Sequence, residues 1–305
     1  MKSFNLRFIR PARMQGVFLF LRSLCWAAAF LSVNTFSTTL SVIDARDRVI
    51  SLERPANRIV SLAPHITELV YAADAGDLLV GVSSMSDYPR EASGIPVIGN
   101  FSAIDLERIV QLKPDLVIAW QTGNANLDLR KFGRLGIPIY LTETRTLEDI
   151  PKIIRDIGQL SGRATGAELT ATQFTEELAK IKSRRTLRRQ LKVFYEVWHE
   201  PFMTVNGKHS ISNVITRCGG VNIFSELKML TPRISIEDIL MAQPDAIVTT
   251  RALPDAIKTW SAYRALSAVK ANHIFSIPAD YLHRATPRIL EGARRLCAYL
   301  DSVTE

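Results

Sequence analysis

The run Ile104-Asp-Leu-Glu-Arg-Ile-Val-Gln-Leu-Lys-Pro-Asp-Leu-Val-Ile-Ala-Trp120 reads as a short amphipathic helix followed at once by a buried strand. A second run, Ile234-Ser-Ile-Glu-Asp-Ile-Leu-Met-Ala-Gln-Pro-Asp-Ala-Ile-Val-Thr-Thr250, has the same pattern at a gapless offset of 130 residues. Asp105 and Ser235 are helix-capping types, whose side chains accept backbone N–H groups of the first turn. Pro114 and Pro244 close both helices, because proline disfavours the helical region for the residue before it. An apolar strand follows in each copy. Two related lobes of one α/β class are expected, against the alternative of chance likeness between generic helix–strand units.

The same grammar extends outward. Arg58–Ala63 reads as a buried strand, Pro64–Ala73 as a helix with Ile66, Leu69, Val70 and Ala73 on one stripe, and Leu79–Ser83 as the next strand. Strands alternating with helical patterns imply parallel sheets. Between the copies, Ile153, Ile157, Leu160, Leu169, Phe174, Leu178 and Ile181 fall near helical spacing. Gly158, Gly162 and Gly166 divide that stretch into a shorter helix and a long one from about Ala164. The fold expected is two Rossmann-like α/β lobes with central parallel sheets, joined by one long rigid helix. The bounds expected are an N-terminal lobe over 46–160, a linking helix over 164–190 and a C-terminal lobe over 192–305. A stiff helical link predicts limited closure between the lobes.

Of the 305 residues, 47% are hydrophobic and 22% charged, an ordinary globular balance that excludes wholesale disorder. The net charge of +8 resembles a nucleic-acid signal until it is located. Lys2, Arg7, Arg10, Arg13 and Arg22 precede any acid, and without them the balance is unremarkable. No later basic run is interleaved with aromatics, so nucleic acid is not an expected partner. This basic stretch leads into the apolar run Ser23–Val33, the order of a secretory signal, here assigned to residues 1–37. With Cys25 inside the signal, the mature chain keeps Cys218 and Cys297. Two cysteines in an oxidising compartment suggest one disulfide, the alternative being two separately buried thiols.

Catalysis finds little support. The sequence has no P-loop, G-x-G-x-x-G, G-x-S-x-G or H-E-x-x-H. His65, His199, His209, His273 and His283 form no i, i+4 ligand pair, and no metal site is expected. His65 stands out because it follows a strand-to-helix turn, where open α/β sheets bind ligands. Aromatic residues collect just beyond strand ends: Tyr88, Phe101 and Trp120 in the first half, and Trp198, Phe202 and Tyr281 in the second, with Asp280 and Arg284 flanking the last. Such walls favour a large, flat, partly apolar ligand with polar groups on its rim.

From Arg58 to about Asp301 the chain resembles the periplasmic cobalamin-binding proteins of ABC importers, a class of helix-linked two-lobed binding proteins. Val82–Pro89, Leu106–Trp120, Cys218-Gly-Gly-Val-Asn-Ile-Phe224 and Arg284-Ala-Thr-Pro-Arg-Ile289 carry the resemblance. It implies that Tyr88, Trp120, Asp280 and Arg284 line a corrin site, with Phe101 in place of a family tryptophan and Phe202 near a family phenylalanine. Thr231 departs from a family tryptophan. The cysteines match the family's disulfide. Glu107 and Glu237, one in the first turn of each repeated helix, fall at importer-docking glutamates, whereas alone they read as ordinary helix N-terminal acids.

The function implied is capture of cobalamin between the lobes and delivery to an inner-membrane ABC permease dimer with its ATPase subunits. The protein is expected in the periplasm of a Gram-negative bacterium, a monomer when free. Cobalamin is then cargo, and no cofactor is called for. The same fold carrying a ferric siderophore or haem is the nearer rival. An exported enzyme is the further one, and it lacks a nucleophile–base pair.

Overall fold

The computed structural model describes residues 39–100, 102–124, 129–181 and 190–303. The expected export signal and Phe101 lie outside them. An antiparallel hairpin, β1 (Leu40–Ile43) and β2 (Val49–Leu52), opens the described chain. Two four-stranded parallel sheets follow. The first holds β3 (Ile59–Ser61), β4 (Leu79–Val82), β7 (Leu116–Trp120) and β8 (Ile139–Thr142) in the order β4-β3-β7-β8. A short antiparallel pair, β5 (Gly99–Asn100) and β6 (Ala103–Ile104), precedes β7. The second sheet holds β9 (Leu191–Glu196), β10 (Gly220–Asn222), β11 (Ala246–Thr249) and β12 (Ile274–Ser276) in the order β10-β9-β11-β12. The two orders are the same permutation, as the repeat predicts.

The repeat is physical in detail. Helix α1 (Pro64–Ala72) starts on proline, which is preset for the first helical position. Helix α2 (Leu106–Gln111) is capped by Asp105, whose carboxylate accepts the Arg108 N–H at 2.9 Å. Further helices are α3 (Arg130–Arg134), α4 (Asp149–Ser161), α5 (Ala164–Lys180) and α6 (Ser210–Arg217). Helix α7 (Ile236–Ala242) is the counterpart of α2, and Ser235 and Asp238 cap it reciprocally. Lys113 and Gln243, the residues before the two prolines, both adopt φ 47°, in the left-handed region. The next residues then pin the neighbouring strand: Asp115 accepts the N–H groups of Asn57 and Arg58, and Asp245 accepts that of Lys192.

Helices α4 and α5 pack closely where Gly158 faces Ala167; a Cβ on Gly158 would sit 2.2 Å from the alanine methyl. Gly162, in the left-handed region, turns the chain between them. Helix α5 begins against the end of α1, where Gly166 meets Asp74. Its other end reaches α10 (Ile289–Ser302) through the Glu177–Arg294 ion pair at 2.9 Å. The helix is shorter than the expected 164–190. It stops at Lys180, Ile181 is extended and Gln190 is not helical, while 182–189 lie outside the described residues. Beyond Ile181 the sequence offers a run of bases with a single leucine, which gives little apolar side chain to extend the stripe. Helices α8 (Leu253–Trp260) and α9 (Ser267–Lys270) complete the second sheet's cover.

Strand residues alternate between cores. Leu116 and Ile118 of β7 join a large apolar cluster that also takes Val193 and Tyr195 of β9, Phe174 of α5 and Leu296 of α10. Val117 and Ala119 face a separate cluster on the first sheet's other side, and Phe194 and Ile247 face one on the second sheet's. One core is therefore common to both sheets.

Candidate functional site

Parallel strands deliver their C-terminal ends to one edge of a sheet, where loops rather than backbone pairing fill the space. Here the ends of both sheets meet in a crevice. Its floor is a cavity of about 60 Å³ bordered by His65 and Trp120 from the first half and by His209, Leu230 and His283 from the second. It has room for a small polar group. A larger cavity of about 550 Å³ opens at the ends of β9 and β11, between Glu196, Trp198, Glu200 and Arg251.

The three imidazoles of the floor are uncharged at neutral pH. The His65 ring stands edge-on to Trp120 at 5.0 Å, and His283 edge-on to Tyr195 at 6.1 Å. Burial pushes His65 down to about 4, with the Arg284 guanidinium adding to it. Burial likewise pushes His209 down to about 4, helped by His283. His283 is lowered by burial against the opposing pull of Asp280. His209 also caps α6: its Nδ1 accepts the Ile211 N–H at 3.1 Å, which leaves the proton of the neutral ring on Nε2.

The aromatic expectations divide. Tyr88 is 46% exposed, with the Arg288 guanidinium 4.0 Å above its ring. Trp120 is half-buried at the floor. Trp198 is 63% exposed, its indole N–H held by the Glu200 carbonyl at 3.0 Å. Tyr281 lies under the guanidinium of Arg295 at 5.0 Å. Phe202 is placed otherwise: its ring packs on Trp260 at 5.4 Å and against His199 at 4.8 Å, within the second sheet's outer cluster. Thr231 follows Leu230 of the floor.

Arg284 is not a free rim cation. Its Nη1 donates to Glu68 at 3.0 Å and to Asp87 at 2.7 Å, its Nη2 donates to the Met85 carbonyl at 3.2 Å, and Asp280 pairs with its Nε at 3.2 Å. Glu68 of α1, 4% exposed, is the centre of this network. It also accepts Arg288 on both oxygens and the Thr286 hydroxyl at 2.8 Å. The hydrogen bond from Arg284 holds the Asp87 carboxyl below its ordinary range. Sequence reasoning missed Glu68, although the one acid of the helix Pro64–Ala72 was the available signal. It passed over His209 and His283 as well, since nothing in their spacing joins them.

Glu107 and Glu237 are exposed second residues of α2 and α7, and neither pairs with a described cation. Cys218, at the end of α6, is bonded to Cys297 of α10.

A family model for periplasmic binding proteins matches residues 59–281. A vitamin B12-binding protein of Vibrio parahaemolyticus is 39% identical over 250 residues, 82% of this chain and 91% of the relative. The crystal structure of the periplasmic vitamin B12 binding protein BtuF of Vibrio cholerae is similar at 38% identity, with a TM-score of 0.77 over 82% of this chain and 99% of that one. A periplasmic haem-binding protein of Roseiflexus shares the fold at 24% identity and a TM-score of 0.71, covering 82% of this chain and all of that one. The chain belongs to the periplasmic binding protein family.

Proposed function

We propose that this member of the family captures cobalamin in the crevice and hands it to an inner-membrane ABC importer in the periplasm of a Gram-negative bacterium. The observation that carries the reading is the pairing of two topologically equivalent sheets whose strand ends meet, with Tyr88 and Trp120 on one and Trp198 on the other. Exposed rings on both walls suit the two faces of a flat macrocycle. The vitamin B12-binding names of relatives at 38% and 39% identity support the same cargo. The core common to both sheets favours a preformed site with little closure.

Delivery uses Glu107 and Glu237, equivalent carboxylates on the two halves, against basic pockets of a two-fold permease carrying its ATPase subunits. Free in solution the protein is a monomer, and its work is binding rather than bond-making. Equilibrium dialysis of the purified mature protein with cyanocobalamin, using haem and a ferric siderophore as competitors, tests the cargo. Saturable binding of cyanocobalamin that neither competitor displaces is expected. Displacement by haem, or no binding of cyanocobalamin, rejects the reading.

A further inference from the structure

The charged groups around the crevice leave a floor that favours uncharged rim groups. From α1 comes His65, from the start of α6 His209, and from the segment after β12 His283; all three border the 60 Å³ cavity. Glu143, after β8, is the carboxylate on that border, and it accepts the N–H and hydroxyl of Thr122. Arg284 and Arg288 have the chemistry of anion ligands. Their side chains are only 12% and 19% exposed, and Glu68, Asp87 and Asp280 face them. In the larger cavity, Glu196 and Glu200 accompany Arg251. Carboxylates therefore outnumber guanidiniums in both groups.

A neutral imidazole presents one N–H and one lone-pair nitrogen, which complement the C=O and NH₂ of a primary carboxamide; at His209 the lone pair is taken by the Ile211 N–H, so His65 and His283 are the two that offer both. A carboxylate in the same place can only accept; the lone-pair nitrogen loses its donor, and no guanidinium borders this floor among the described residues to offset the buried charge. The cavity also matches a carboxamide in size. We propose that this floor selects macrocycles rimmed by primary carboxamides and excludes those rimmed by carboxylates, with His65 and His283 as the selecting side chains and His209 adding an N–H donor. The inference rests on the corrinoid reading of the crevice, and names what in the ligand the crevice reads.

The test is equilibrium dialysis of the full mature protein with cyanocobalamin and with the separated monocarboxylates made by mild acid hydrolysis of its side-chain amides. At pH 7 at least one monocarboxylate should bind about tenfold more weakly than the parent, the worth of one charge-mismatched hydrogen bond. At pH 5 that gap should narrow, because a protonated acid regains a donor while His65 and His209 stay neutral. The unmodified protein supplies both arms, so no variant has to fold. His65→Arg, if folded, should tip the preference toward the same monocarboxylate. Equal binding of parent and every monocarboxylate at both pH values overturns the inference and leaves the corrinoid reading standing. Failure to bind cyanocobalamin overturns both.

Discussion

Arg288 and Glu68, 220 residues apart in sequence, meet across the crevice with Nη2 2.5 Å from Oε1. A second bond, Nε to Oε2 at 3.0 Å, makes the pair bidentate, and Arg284 and Thr286 complete the carboxylate's shell. The result is an ionic strut between α1 and the segment leading into α10. Buried pairs of this kind add little net stability over an apolar substitute, yet breaking one strands the partner charges.

Glu68→Ala should therefore lower unfolding stability by about 3 kcal/mol, read from urea denaturation. Glu68→Gln should recover part of that loss, since an amide oxygen still accepts from one guanidinium. Equal stability of Glu68→Ala and the unmodified protein would show that the strut is dispensable.

Acid should weaken the fold before it protonates ordinary carboxylates. His65 and His209 are lowered from 6.5 to about 4, so the unfolded chain binds their protons more readily than the folded one. Their contribution is complete above about pH 6.5 and is lost as the pH falls toward 4. Asp87, also lowered, extends the loss at the acid end. Urea midpoints should fall across this window. His209→Asn, which keeps a capping side chain without titrating, should flatten the slope; an unchanged slope refutes the assignment to His209.

Reducing the Cys218–Cys297 bridge should cost about 4.5 kcal/mol, the chain-entropy value for a loop closed at a separation of 79 residues. Urea midpoints with and without reductant measure it. A Cys218→Ser, Cys297→Ser double variant should match the reduced protein and show no response to reductant.

Charge reversal at Glu107 or Glu237 should lower cobalamin uptake in cells several-fold, and reversal at both should abolish it, while dialysis still finds the ligand bound. Uptake that survives the double reversal would remove both glutamates from any docking role.

The repeated helix–strand unit was readable because its causes are local: a capping side chain, a proline that ends the helix, an aspartate that anchors the next strand. Asp105, Ser235, Pro114 and Pro244 each act within a few residues of themselves. The disulfide was half-readable, since compartment and cysteine number suggested a bond that only the docking of α10 on α6 makes geometrically possible. The strut was not readable as such. Arg284 looked like a rim cation because its acceptors, Glu68 and Asp87, lie 216 and 197 residues away in sequence. Phe202 follows a strand end as the other aromatics do, but the hydrophobic surface of Trp260 draws it inward. The reach of α5 was overestimated for a similar reason: helical spacing continues only while there is apolar surface to cover.

The apolar cluster that runs from Ile59 and Ile118 through Ala171 and Phe174 to Val193 and Leu296 has a mechanical corollary. Opening the halves like jaws would tear this continuous seam and wet side chains that are now dry, at a cost proportional to the area exposed. That cost favours a fixed spacing of the two halves. Any partner that spread the arms would have to supply the work of wetting that seam.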